Sequence, residues 1–237
     1  MRFGELTAGL LEAERWLLPG ECLLCRDPVG SEDPLICPPC QSRWHRLPEP
    51  QCPRCGQPVP GAADACRICA GWPDGFERAR SAVWLDDLAR TAVHHLKYGG
   101  WWRVAEPLAC LMARLPATPG VLVPVPLAHR RARRRGYNQA ERIARKLGER
   151  TGRPVQPDLL TRLRDTRTQT ELAPEARRAN IAEAFAAGRV RDGTHIVLVD
   201  DVFTTGATLA EAAATLLEAG AVTVEAVTFA RARPPVV

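Results

Sequence analysis

The chain has 237 residues, 46% hydrophobic and 25% charged, which excludes a disordered or fibrous protein and allows one good-sized domain plus a small one. No apolar run approaches the roughly 20 residues of a membrane span, and the opening MRFGELTAGLLEAERWLLPG lacks a signal peptide's continuous apolar core. A soluble, cytoplasmic protein without membrane insertion is expected. The formal charge of +5 comes partly from one run, His129 to Arg135 (HRRARRR), and points to a polyanionic ligand more than to a uniformly basic surface.

Eight of the nine cysteines lie between residues 22 and 69, in four CxxC pairs: Cys22/Cys25, Cys37/Cys40, Cys52/Cys55 and Cys66/Cys69. The first members are spaced by 15, 15 and 14 residues, so the unit is a repeated knuckle. Four such motifs without a thioredoxin-like βαβ context argue for zinc over redox pairs. Zinc takes four thiolates in a tetrahedron, and a CxxC turn presents two sulfurs to one side of the ion. Two structural Zn²⁺ sites are therefore expected, with no ligand position left open for catalysis. Sequential pairing of the knuckles is the simplest arrangement, and the equal spacing also permits interleaved pairing. A Cys-rich region over 1–75 has little apolar surface of its own, so metal must hold it together. The ninth cysteine, Cys110 in EPLACLMARL, is expected to be a small buried residue of a helix.

From residue 76 to 237 the texture changes to alternating strands and helices. RARSAVWL (78–85) predicts a strand, and DDLARTAVHHLKYGG a helix capped by Asp86 or Asp87 and stopped by Gly99 and Gly100. VAEPLACLMARL repeats apolar residues at helical spacing. VLVPVP (121–126) is a short apolar strand closed by prolines. NQAERIARKLGERTG then predicts a helix with Asn138 and Glu141 in capping-box spacing and Gly152 after its end. THIVLVDD and VTVEAVTFA are two more strands around the helix TLAEAAATLLEAG. Strand, helix, strand with uniformly aliphatic strands implies a parallel sheet covered on both faces.

Asp200 and Asp201 end one of these strands, where ligands collect in an open parallel sheet. Thr204, Thr205, Gly206, Ala207 and Thr208 follow at a helix N-terminus, supplying hydroxyls and backbone N–H groups to an anion. Gly206 would let the backbone approach closely. Two carboxylates cannot attract the same phosphate, so they call for hydroxyl donors or a metal. A sugar phosphate satisfies both demands.

The stretch IVLVDDVFTTGAT resembles the phosphoribosyl pyrophosphate (PRPP) motif of type I phosphoribosyltransferases. VPVPLAHRRARRRGYNQAERIA and RLRDTRTQTELAPEARRANIAEAF are similar to the other signature blocks of the ComF (competence protein F) family. The resemblance implies an α/β fold: a type I phosphoribosyltransferase-like parallel sheet flanked by helices, behind a small N-terminal double zinc-ribbon domain. It also implies PRPP with Mg²⁺ as ligand, and an association with natural transformation. Single-stranded DNA and a DNA-uptake helicase are the macromolecular partners it suggests.

Residues can be assigned on that basis. Asp200 and Asp201 would face the ribose hydroxyls and the phosphate would sit in the threonine loop. The loop 127–139 takes the place of the pyrophosphate loop, with Arg135, Gly136, Tyr137, Asn138 and Gln139 as candidates. Lys97 can reach the same anion or serve only its own helix dipole. Arg130, Arg131, Arg133 and Arg134 are candidates for single-stranded DNA, because five arginines in seven residues exceed what one pyrophosphate can contact, with a solvated basic surface as the alternative. Block 161–185 fits a loop that closes over PRPP, with Thr168, Gln169, Arg177 and Asn180 matching the family pattern. His94 and His95 receive no role. Trp101 and Trp102 are expected to cover the core, with base stacking as the alternative. The phosphoribosyl acceptor and the oligomeric state are not legible in the sequence.

Overall fold

A computed structural model describes residues 20–30, 35–59, 66–98, 100–115, 118–163 and 184–234. Two short strands, β1 (Gly20–Glu21) and β2 (Pro28–Val29), and the helix α1 (Pro38–Ser42) belong to the first pair of knuckles. Strand β3 (Phe76–Trp84) is followed by α2 (Asp87–Tyr98) and α3 (Ala105–Met112). Then come β4 (Val121–Pro124), α4 (His129–Arg135) and α5 (Gln139–Thr151). The short strands β5 (Leu160–Arg162) and β6 (Phe185–Ala187) pair antiparallel. The chain finishes with β7 (His195–Phe203), α6 (Ala207–Glu218) and β8 (Thr223–Arg231).

The central sheet has the order β3-β8-β7-β4, and its three pairings are all parallel. Ile196 to Val199 of β7 are buried without exception, because both faces of a parallel sheet are covered. The period-2 alternation of a strand then sorts them. Val197 and Val199 pack with α2, α3 and α5, whereas Ile196 and Leu198 pack with α6.

Each pair of knuckles joins one of these two cores. Cys22, Cys37, Cys40 and Trp44 share the apolar cluster that contains α2 and Phe229. Cys52, Cys55, Cys69 and Trp72 share the cluster that contains α6 and Phe76. The chain division at 75/76 is thus not a division in packing. The knuckle region also covers the free edge of β3: Trp84 N–H donates to His45 O and Ala79 N–H to Arg54 O, each at 2.8 Å. At the opposite edge, residues 154–156 run along β4, with Leu122 N–H on Pro154 O and Gln156 N–H on Leu122 O, both 2.9 Å. Neither outer strand is left as an open template.

Four local expectations need correction. The run HRRARRR lies within the expected loop 127–139, yet forms the helix α4. Arginine and alanine are good helix formers, and Gly136 closes the helix at φ +76°, its N–H bonded to Ala132 O at 2.8 Å. Cys110 is only half-buried, since Ala105, Leu108, Ala109 and Met112 occupy the inward stripe of α3. Trp101 and Trp102 are 44% and 43% exposed and do not cover the core. Asn138 caps α5 by accepting from Ala140 N–H at 3.1 Å, but Glu141 pairs with Arg145 instead of closing a capping box. The helix after Asp86 is as expected: Asp86 accepts from Ala89 N–H at 2.9 Å.

Candidate functional site

Zinc chemistry fits the knuckles. Cys22, Cys25, Cys37 and Cys40 form one group and Cys52, Cys55, Cys66 and Cys69 the other, with all sulfurs of a group within 4.8 Å of one another. Four thiolates about 2.3 Å from one ion lie roughly 3.8 Å apart. Cys25 and Cys37 sulfurs are 3.7 Å apart, Cys52 and Cys69 3.8 Å, and Cys55 and Cys66 3.5 Å. Pairing is therefore sequential, not interleaved. Backbone N–H groups of Leu24 and Cys37 point at Cys22 Sγ, each at 3.4 Å, as support for a thiolate.

A cleft of about 520 Å³ opens at the carboxyl ends of β4 and β7, beside the N-terminus of α6. It brings together Lys97, Arg135, Gln139, Asp200, Asp201, Thr204, Gly206 and Thr208 from segments up to 111 residues apart. Arg131 also lines it, one helical turn before Arg135, while Arg130, Arg133 and Arg134 are exposed on α4. The helix thus divides the basic run, which an unstructured loop would not do. Thr205 and Ala207 lie in the same turn without lining the cleft, and Thr205 Oγ1 faces Ala207 N–H at 3.4 Å. Gly136, Tyr137 and Asn138 have structural contacts: the αL cap of α4, a hydroxyl bond to Leu96 O, and an amide bond to Val125 O at 3.0 Å. Thr168, Gln169, Arg177, Asn180 and the rest of 164–183 lie outside the described residues.

Sequence reasoning assigns no site role to Arg90, His94, Tyr98 and Arg162, which line the cleft too. Arg90, Val93, His94 and Lys97 recur at i, i+3, i+4 and i+7 on α2. That stripe is a legible helix face, and its charge was the available signal. Arg162 carried no such signal, because the pairing of β5 with β6 places it.

The acidic pair is asymmetric. Asp201 is 3% exposed, forms an ion pair with Lys97, and accepts from Gln139 Nε2 at 3.4 Å. Gln139 is held in turn by Arg135 Nη1 at 2.9 Å, and Arg135 Nη2 donates to Tyr98 Oη at 3.2 Å while stacking 4.8 Å from that ring. Burial works against ionisation of Asp201, but Lys97, Asp200 and Gln139 outweigh it and hold its carboxyl below the usual range. For Asp200, burial and the neighbouring Asp201 charge both push the carboxyl well above that range. One of its oxygens accepts from Asp201 N–H at 2.8 Å. Among the described residues, five basic side chains, Arg90, Lys97, Arg131, Arg135 and Arg162, line the cleft with only these two carboxylates. Such a site suits a polyanion that also carries hydroxyl donors.

A double zinc ribbon ahead of a phosphoribosyltransferase-like sheet is the class of protein that this fold defines. The double zinc ribbon family model matches residues 13–70 and the phosphoribosyl transferase domain model matches 132–235. The chain is 37% identical over 218 residues to the DNA utilization protein YhgH of Salmonella typhi, covering 88% of this chain and 95% of that one. It is 26% identical to competence protein F of Haemophilus influenzae (89% and 96% covered) and 28% identical to competence protein ComFC of Bacillus subtilis (84% and 89%). The chain belongs to the ComF family. Among the described residues, no helix is long and apolar enough to cross a membrane.

Proposed function

We propose that the cleft binds PRPP with Mg²⁺ and transfers its phosphoribosyl group to an acceptor. The observation that carries this reading is the joint placement of Asp200, Thr204, Gly206 and Thr208 in one cleft that Arg90, Arg131, Arg135 and Arg162 also line. The 5′-phosphate takes the N-terminus of α6, where backbone N–H groups and the helix dipole favour an anion. Asp200 takes the ribose hydroxyls, and Asp201, fixed by Lys97 and Gln139, shapes the strand end behind it. Arg131 and Arg135 face the diphosphate. Breaking the C1–O bond sends its electron pair to pyrophosphate, and those guanidinium groups stabilise the departing charge. The acceptor atom then bonds to C1 and loses its proton. Magnesium, held mainly by phosphate oxygens with Asp200 as the available carboxylate, would supply further neutralisation of the leaving group. Calorimetry with PRPP and Mg²⁺ tests binding, and pyrophosphate release across candidate acceptors tests transfer. No heat of binding from the folded protein would refute the reading.

A second reading is favoured by the surface that adjoins the cleft at Tyr98. Tyr98, Trp101 and Trp102 are exposed, and Arg142 stacks 5.1 Å from the Trp102 ring, close to the arginine-rich α5 and α4. Aromatic faces interleaved with guanidinium groups suit single-stranded DNA, by stacking and phosphate contact. The names of the YhgH and competence-protein relatives support a role in DNA handling, and a DNA-uptake helicase would be a partner under this reading. Fluorescence anisotropy with an oligo-dT strand tests it, and absence of binding at low salt would refute it.

A further inference from the structure

Strand β7 ends at Phe203, and the chain reaches Gly206 at the N-cap of α6 three residues later. Gly206 has φ +79°, and a methyl group there would lie 2.7 Å from Phe203 Cζ and 3.2 Å from Trp72 Cζ2. The close approach that this glycine permits is therefore to two rings behind the loop. Those rings belong to a stack: Trp72 lies 4.2 Å from Phe76 and 6.3 Å from Phe203.

Behind Phe203 is Arg231, its guanidinium 4.0 Å from the ring centroid. Arg231 is 1% exposed. Its Nη1 donates to Cys55 O at 2.8 Å and its Nε to Gln57 Oε1 at 2.9 Å, while Nη2 faces Cys55 Sγ at 3.9 Å. A buried guanidinium needs a counter-charge. Four thiolates around Zn²⁺ leave a net charge of about −2, which the second cysteine group would place beside Arg231. Trp72 is fixed from the same group: Arg54, between Cys52 and Cys55, donates to the carbonyls of Cys69, Trp72, Pro73 and Phe76.

We infer that the second zinc site is the back wall of the anion loop, with Arg231, Phe203 and Trp72 as positioning residues that hold residues 203–208 in their anion-binding shape. Loop order would then depend on zinc at Cys52, Cys55, Cys66 and Cys69, and not on zinc at the first group. Cys22, Cys37 and Cys40 pack in the apolar cluster on the opposite face of the sheet, so the protein carries its own control. The ligand readout of this inference rests on the sugar-phosphate reading above; the loop-order readout does not.

The test compares full-length Cys66→Ser and Cys25→Ser by zinc content, hydrogen exchange and PRPP affinity. Each should retain one zinc. Exchange of amides in 203–208 should rise about tenfold or more in Cys66→Ser and stay within about twofold of wild type in Cys25→Ser. PRPP affinity should fall about tenfold or more in Cys66→Ser. Arg231→Met, which keeps all eight thiolates, should retain two zincs yet show the same rise in exchange; this arm decides the matter if Cys66→Ser fails to fold. Unchanged exchange at 203–208 in both Cys66→Ser and Arg231→Met, or an equal rise in Cys25→Ser, would overturn the inference. If wild type binds no PRPP, the sugar-phosphate reading fails while the exchange comparison still decides the coupling.

Discussion

Lys97, in the last turn of α2, forms an ion pair with Asp201 at the end of β7, and the carboxylate is almost fully enclosed. Removing one member of such a pair leaves the other charged and without compensation. Lys97→Met is therefore expected to destabilise the protein by about 3–5 kcal/mol. Lys97→Met with Asp201→Asn should recover a large part of that loss, because no buried charge remains. Urea unfolding of the two single variants and the double variant checks it; strictly additive losses would mean that the pair is not coupled.

Burial and the neighbouring Asp201 charge push the Asp200 carboxyl well above the usual range, so its ionisation costs folding energy. A carboxyl whose folded pKa is raised contributes stability that is full below its unfolded value, near 3.8, and is lost as pH rises through the folded value. Asp200→Asn removes that loss. Its melting temperature should exceed that of wild type by roughly 2–4 °C at pH 8, about 1 kcal/mol, and by less at pH 5. The same substitution should weaken PRPP binding about tenfold or more, since a charge-assisted hydrogen bond to a ribose hydroxyl is lost. Thermal scans at the two pH values and calorimetry at one of them separate the effects.

Elemental analysis of protein purified without added metal should find two zinc ions per chain. Cys52→Ser should retain one. Because Cys52 shares its apolar cluster with Phe76, Ala79 and Leu198, melting should remain a single transition, lowered by about 3 kcal/mol, or roughly 6–12 °C. A separate early transition ahead of an unchanged main one would show that the ribbon folds independently of the sheet.

The two faces of α4 should separate the two readings of the site. Arg130→Ala, Arg133→Ala and Arg134→Ala together should weaken oligonucleotide binding and reduce its salt dependence by about 2 log units per log unit of salt. PRPP affinity should stay within about twofold. Arg131→Ala should reverse the pattern, because Arg131 lines the cleft. Salt titrations by anisotropy and calorimetry with PRPP provide both readouts.

Much of the local structure follows from short-range chemistry. Asp86 caps α2 because a carboxylate satisfies a first-turn N–H, and the aliphatic run 196–199 can only be a strand buried on both faces. Two of the four corrected expectations show where short-range chemistry is insufficient. The family resemblance implies a loop at HRRARRR, though every residue in it tolerates a helix. Trp101 and Trp102 are expected to cover the core, but Val104, Ala105 and Leu108 fill the adjacent interior.

By itself the sequence determined four CxxC knuckles suited to two zinc sites, the parallel sheet, and the position of Asp200, Asp201 and the threonine turn near a strand end. These depend on spacing within one segment, which a linear pattern records. Only the tertiary structure decided that the knuckles pair sequentially, that Lys97 belongs to Asp201, that Arg131 faces the cleft while Arg133 faces outward, and that Arg231 joins Cys55 to Phe203. Each of these relations depends on which side chains close packing brings together from distant segments, and the pairing of buried charges is settled only after that packing exists.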